Sequence, residues 1–292
     1  MTMRRLLHAA GALMVLAVGP VQAQRAAAAG DTATASLVAA EVAFAKLAAD
    51  SGTRTAFLAV LDGASLMFWP GPTPGRAAWE AEGPSPAELK WYPAVAGTSA
   101  AGDLGFTSGP SEFRRAGPSD PEVRYGSYFS VWRRTPGGPW RLLLDLGPPH
   151  PKPATPEAPW TPAAGASRSG RPVPLPSSTL AGRLETQLRS ADARFGAPSL
   201  ASDARVLRPG VEPRTGGAAR ELVAGEGGAP STTGGAGVSR SGDLGYTWGT
   251  RSRTTPQGAR DGHYVRVWRR DGVEWRAVAD VVVAPPPAAS GN

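Results

Sequence analysis

The sequence predicts an α+β fold in two tandem copies, and three features predict it. A block of strand-forming residues occurs twice, each occurrence follows a segment of helical periodicity, and a Pro- and Ala-rich stretch separates the halves. Gly102-Asp103-Leu104-Gly105-Phe106-Thr107 recurs as Gly242-Asp243-Leu244-Gly245-Tyr246-Thr247. Tyr128-Phe129-Ser130-Val131-Trp132-Arg133-Arg134 recurs as Tyr264-Val265-Arg266-Val267-Trp268-Arg269-Arg270. Trp140-Arg141 with Asp145 recurs as Trp275-Arg276 with Asp280. A fainter echo links Pro70-Gly71 and Gly75-Arg76 to Pro209-Gly210 and Gly217-Ala218.

Each copy opens on an amphipathic helix. Leu37, Phe44 and Leu47 share one face in the first copy, as do Leu180, Leu184, Leu188 and Phe195 in the second, with Ser36 and Ser178 or Thr179 as N-caps. The first copy continues with a second helix over residues 53–61 and an apolar strand over 65–69. The second copy has no room for that helix: Phe44 stands 26 residues before Pro70, but Phe195 only 14 before Pro209. Further on, β-branched and aromatic runs separated by Gly, Pro and Asp read as strands. In residues 125–133, Tyr125, Ser127, Phe129 and Val131 share one face and Tyr128, Ser130 and Trp132 the other. Thr135-Pro136-Gly137-Gly138 and Asp271-Gly272 supply hairpin turns. Gly105 and Gly245, inside strand patterns, predict a bend or bulge. Residues 89–95 read as a strand, whereas the Gly, Ser and Thr tract 225–237 leaves the second copy without an equivalent wall.

Residues 1–23 have the form of a secretory signal: Arg4 and Arg5, an apolar run over residues 6–18, and Val21-Gln22-Ala23 as the cleavage site. A run of about 13 residues is short of the ~18 that a membrane span needs, so no stable membrane anchor is expected. The predicted organisation is a signal peptide at 1–23, a spacer at 24–35, a first domain at 36–150, a linker at 151–176, a second domain at 177–284 and a disordered tail at 285–292. The protein is then exported, to the periplasm or beyond the cell. The chain has no Cys, so neither disulfides nor thiolate metal sites hold it together. Its formal charge of +7 comes from scattered residues whose longest clusters are pairs such as Arg133-Arg134, which argues against a nucleic-acid footprint.

The helix, helix, strand, Pro-Gly turn and closing strands resemble the nuclear transport factor 2-like superfamily. The motifs that carry the resemblance are Gly-Asp-Leu-Gly-Phe/Tyr-Thr and Val-Trp-Arg-Arg followed by Trp-Arg. Within it the chain is most similar to the SnoaL-like branch and domain of unknown function 4440, with Gly52-Thr53-Arg54-Thr55 and Trp69-Pro70-Gly71-Pro72 as further points of likeness. The resemblance implies cone-shaped domains, each a strongly curved mixed sheet wrapped round N-terminal helices, with a pocket at the open end suited to a small apolar ligand. It also implies a sheet-to-sheet partner, either the other domain or a second chain. Because the superfamily mixes enzymes and non-catalytic modules, fold alone does not choose between them.

Asp145 and Asp280, each behind apolar residues, are the candidate acid–base groups, and Asp145 is the single catalytic candidate. A strand-end Asp paired with Arg is the competing account. Trp69, Trp91, Tyr125, Tyr128 and Asp145 are the candidate pocket residues, with Tyr264 and Asp280 as second-copy counterparts. Trp132, Trp268, Trp140 and Trp275 read as core. No His or carboxylate spacing suits a metal, no cofactor motif is present, and the serines lack a nucleophile-elbow setting. The sequence thus points to non-catalytic binding of a small apolar or carbonyl-bearing molecule in the first cone, the second serving as structural partner. An isomerase-, dehydratase- or cyclase-type enzyme with an Asp base is the alternative, and a purely structural dimer-like module the third.

Overall fold

The computed structural model describes residues 20–69, 71–161, 178–227, 230–255 and 258–284. Most of the predicted signal peptide, residues 162–176 of the linker and the tail at 285–292 lie outside the described residues.

The first half runs α1 (Pro20–Ser51), α2 (Thr53–Val60), β1 (Leu61–Phe68), β2 (Pro72–Pro74), α3 (Gly75–Ala81), β3 (Glu88–Trp91), β4 (Val95–Thr98), β5 (Leu104–Arg114), β6 (Val123–Arg133) and β7 (Arg141–Leu146). The second runs α4 (Ser178–Ala193), a 3-10 turn (Ala197–Ser199), β8 (Leu200–Arg208), β9 (Val211–Thr215), α5 (Gly216–Gly225), β10 (Ser231–Val238), β11 (Leu244–Thr255), β12 (Gly258–Asp271) and β13 (Glu274–Val283). The fold is α+β, with two tandem domains. The 3-10 turn stands where the first half has α2, the helix for which the second copy is too short.

The two sheets match down to register. Their strand orders are β2-β1-β7-β6-β5-β3, with β4 also on β5, and β10-β11-β12-β13-β8-β9. Gly105 pairs with Trp132 as Gly245 pairs with Trp268, and β1 lies parallel to β7 as β8 does to β13. The register shifts between Val131 and Trp132, and again between Val267 and Trp268. These two shifts do not fall at Gly105 or Gly245, where pairing is continuous on β6 and β12. The two glycines serve another purpose. A Cβ on Gly105 meets Leu37 Cδ2 at 2.6 Å, and one on Gly245 meets Leu188 Cδ2 at 2.7 Å, so each lets a helix lie close on its sheet.

Four other expectations need correction. Helix α1 starts at Pro20, so residues 24–35 are helical and Ser36 sits inside the helix; its hydroxyl accepts from Arg134 and from Trp140 Nε1 at 3.3 Å instead of capping. Among the described residues α1 is also the one helix long and apolar enough to cross a membrane, yet its Leu37 and Phe44 are buried in the first core. The strand expected over 89–95 breaks into β3 and β4 at Pro93, which has no N–H for a ladder. The tract at 225–237, read as lacking a wall, contains a true strand, β10, paired along β11. Its glycines lie under rings: a Cβ on Gly234 meets Trp248 at 2.5 Å and one on Gly237 meets Tyr246 at 2.6 Å.

Trp132 and Trp268 are fully buried, and Trp140 and Trp275 nearly so, as core residues. Alternation along β6 turns Tyr128, Ser130 and Trp132 toward α1, while Phe129 and Val131 join an apolar cluster that includes Val265 and Val281 of the second half. The halves therefore meet sheet to sheet. Phe68 packs edge-on against Trp248 at 6.0 Å. The matching loops clasp reciprocally: Ala100 N–H donates to Asp243 Oδ2 at 2.9 Å, and Arg240 N–H to Asp103 Oδ2 at 3.0 Å. Ala100 and Arg240 hold equivalent places in the repeat, so the interface has the two-fold character of an isologous dimer within one chain. The start of the linker is docked as well, through Trp160 N–H to Pro93 O and Arg205 to Glu157, each at 2.7 Å.

Candidate functional site

In the first half α1, α2 and the ends of β1, β3, β5, β6 and β7 enclose a cavity of about 360 Å³. All five candidate residues border it. Phe44, Phe57 and Trp91 form its apolar floor, and Trp69, 68% exposed, stands at its rim. Tyr125 borders the cavity too, but alternation along β6 puts it on the opposite face from Tyr128, where Lys152 lies over its ring at 5.7 Å.

Two polar groups give the interior its chemistry. The Asp145 carboxylate accepts a hydrogen bond from Ser130 Oγ at 2.6 Å. Burial pushes its pKa up to about 7; the Ser130 bond opposes that rise and the Glu41 charge adds to it. The Tyr128 hydroxyl, buried at the cavity wall, has no hydrogen-bond partner. Thr107 lies near it but outside hydrogen-bond geometry, its own hydroxyl donating to Glu41 and accepting from Trp132 Nε1. Burial, with the Glu41 and Asp145 charges, holds Tyr128 well above the ordinary tyrosine range, so its hydroxyl is a donor in search of an acceptor.

Glu41 is the residue that sequence reasoning missed. It sits fully buried on α1 and accepts from Trp91 Nε1 at 2.6 Å, Thr107 Oγ1 at 2.5 Å and Trp132 Nε1 at 3.0 Å. Burial outweighs these three bonds and raises its pKa. A signal was available. Leu37-x-x-x-Glu41-x-x-Phe44 recurs as Leu188-x-x-x-Asp192-x-x-Phe195, which places a carboxylate on the apolar stripe of both first helices.

The second half keeps these positions and fills the space. Arg266, at the place of Ser130, is 1% exposed and lies between the rings of Phe195 at 3.7 Å and Tyr264 at 4.0 Å. Its Nη1 donates to Asp192 and its Nε to Asp280, each at 2.8 Å. Arg208, at the place of Trp69, donates to Asp280 and pairs with Glu226, which also holds Arg251. The Tyr264 hydroxyl, whose counterpart Tyr128 is free, donates to Asp192. Burial works to raise the pKa of Asp280, but Arg208 and Arg266 overcome it and bring the group down to about 2. For Asp280 the account that pairs a strand-end Asp with Arg holds; for Asp145 it does not. Tyr264 and Asp280 thus belong to a buried ionic network, and side chains occupy in the second half the place of the first half's cavity.

Each half thus has the layout that the sequence resemblance implied, helices laid on a mixed sheet of matching strand order. No protein-family model and no curated protein sequence matches the chain. Among solved structures it is similar to a nuclear transport factor 2-like protein with a cystatin-like fold from Novosphingobium aromaticivorans, at 20% identity over 39% of this chain and 94% of that one, with a TM-score of 0.28. A conserved protein from Planctomyces limnophilus is similar at 22% identity over 36% and 96%, and a nuclear transport factor 2-like protein of unknown function from Pseudomonas putida at 14% over 40% and 94%, each with a TM-score of 0.27. Among the described residues no group of three or more His, Asp or Glu is placed to hold a metal ion.

Proposed function

We propose that the first cone binds a small, largely apolar molecule that presents a neutral acceptor oxygen, a carbonyl above all, to Tyr128, and that the second cone is its structural partner. The unpartnered Tyr128 hydroxyl beside Asp145 on one apolar cavity carries this reading. Below pH 7 Asp145 is mostly protonated and supplies a second donor at the same place. We further propose that the protein is exported after cleavage beyond Ala23; its SnoaL-like, domain of unknown function 4440 character rests on the Gly52-Thr53 and Trp69-Pro70-Gly71 motifs. N-terminal sequencing of the mature chain tests the cleavage, and an intact Met1 refutes it.

The binding reading is tested by mass spectrometry of molecules that co-purify with the protein and by calorimetric titration of aromatic aldehydes into wild type and Tyr128→Phe. Loss of the hydroxyl weakens binding about tenfold, the worth of one buried hydrogen bond. Equal affinity in the two proteins, or no binding by any aldehyde, refutes it.

A second reading follows from the same pair of groups. A carboxylate with a pKa about 7 and a hydroxyl donor on one cavity suit proton abstraction next to a carbonyl: Asp145 takes the proton and Tyr128 stabilises the enolate oxygen. Exchange of the α-proton of bound ketones for deuterium then rises with pH through about 7 and vanishes in Asp145→Asn. Exchange that persists in the variant excludes Asp145 as base.

A further inference from the structure

We infer that Arg124 makes the cavity selective for an acidic ligand, one with an acceptor oxygen at its inner end and a carboxylate at its outer end. The inference rests on the binding reading above and deepens it.

Arg124 borders the cavity on the inward row of β6, the row of Tyr128 and Ser130. It is exposed and makes no ion pair among the described residues. The nearby acidic side chains of the sheet are committed elsewhere. Glu88 faces Lys90 and Arg114, and Glu112 faces Arg114, all on the other side of β3 and β5 from the cavity-lining Leu89, Trp91, Ser111 and Phe113. The lining therefore carries one carboxyl and one guanidinium group: Asp145 on the inner wall, which resists ionisation, and Arg124 at the mouth, a permanent cation.

Spacing sets the ligand's length. Four residue steps along β6 lead from Tyr128 to Arg124, about 13 Å of strand. A flat body of three aromatic rings approaches that distance between its aldehyde and its carboxylate, the flexible Arg124 side chain reaches in toward shorter ones, and Phe44, Phe57 and Trp91 offer rings against which to lay it. An Arg–carboxylate pair at a solvent-exposed mouth is weakened by salt, so the preference is greatest at low ionic strength.

The test uses matched pairs, the carboxylic acid and its methyl ester, of formyl-substituted benzene, naphthalene and anthracene, titrated calorimetrically into the full-length protein at pH 6 and low salt. The best-fitting acid binds about tenfold tighter than its ester to wild type, binds equally in Arg124→Gln, and binds more weakly than its ester in Arg124→Glu. Esters that bind wild type as well as the acids, or a preference that survives Arg124→Gln, overturn the inference and leave the pocket standing. If no member of either series binds, the pocket reading and this inference fall together.

Discussion

Two exchanges separate the fates of the two half-molecules. Trp69 gives way to Arg208 and Ser130 to Arg266, and Asp145 is raised to about 7 while Asp280 is lowered to about 2, because the two guanidiniums supply in the second cone the charge that the first lacks. The signs give opposite pH dependences. Asp145, raised above its unfolded value near 3.8, favours the fold while protonated and costs stability as pH climbs from about 4 through 7; Asp280, depressed, contributes stability above pH 4 that is lost as pH falls through about 2. Asp145→Asn is thus expected to stabilise the protein at pH 8 by on the order of 3 kcal/mol and to leave it unchanged at pH 4, measured by urea unfolding. Arg266→Ser leaves Asp192 and Asp280 with less buried countercharge and costs about 3–5 kcal/mol, read in the same way. Tyr128→Phe removes an unsatisfied buried hydroxyl and gains about 1 kcal/mol in the unliganded protein while losing affinity, a combination that a merely structural tyrosine does not show. At this scale Asp145, Tyr128 and the Ser130/Arg266 exchange were visible in the aligned repeats. What the exchange does was not, because it depends on Asp192, whose helix brings it to Arg266 across 74 residues of chain.

Among the elements, the closing strands were legible because alternation, turn residues and the duplicated motifs agree. Glycine's purpose was not: a Gly inside a strand suits a bulge or a close neighbour equally, and only the path of α1 over β5 decides. Gly105→Ala sets a Cβ against Leu37 and the Gly97 carbonyl, and is expected to cost about 2 kcal/mol by thermal unfolding. Gly63→Ala, with nothing within 4 Å, serves as the control and changes stability little. The glycine-rich β10 escaped prediction for a related reason. Its stability comes from the rings of Trp248 and Tyr246 laid over it, partners on the neighbouring strand that composition in a short window does not reveal.

For the whole molecule, duplication accounts for both the shape and the asymmetry. The sheet face of each half is covered here by the other half, with Phe68, Phe129, Val131 and Leu144 in one apolar cluster with Val265, Val267 and Val281. A shared core predicts one cooperative unfolding transition by calorimetry; two separated transitions refute the coupling of the halves. It also frees the second cone from keeping a cavity, since its place in the assembly is fixed by its sheet, and there an ionic network fills what the first cone leaves open. Whether one cone is open and the other filled by its own arginines is decided by carbon-detected magnetic-resonance titration of the Asp side-chain carboxyls in wild type and Ser130→Arg. In that arrangement Asp145 titrates at about 7 and Asp280 at about 2 in wild type, and Asp145 falls toward the ordinary carboxylate range once an arginine is introduced. An Asp145 that titrates near 4 in wild type, or stays near 7 in Ser130→Arg, contradicts it.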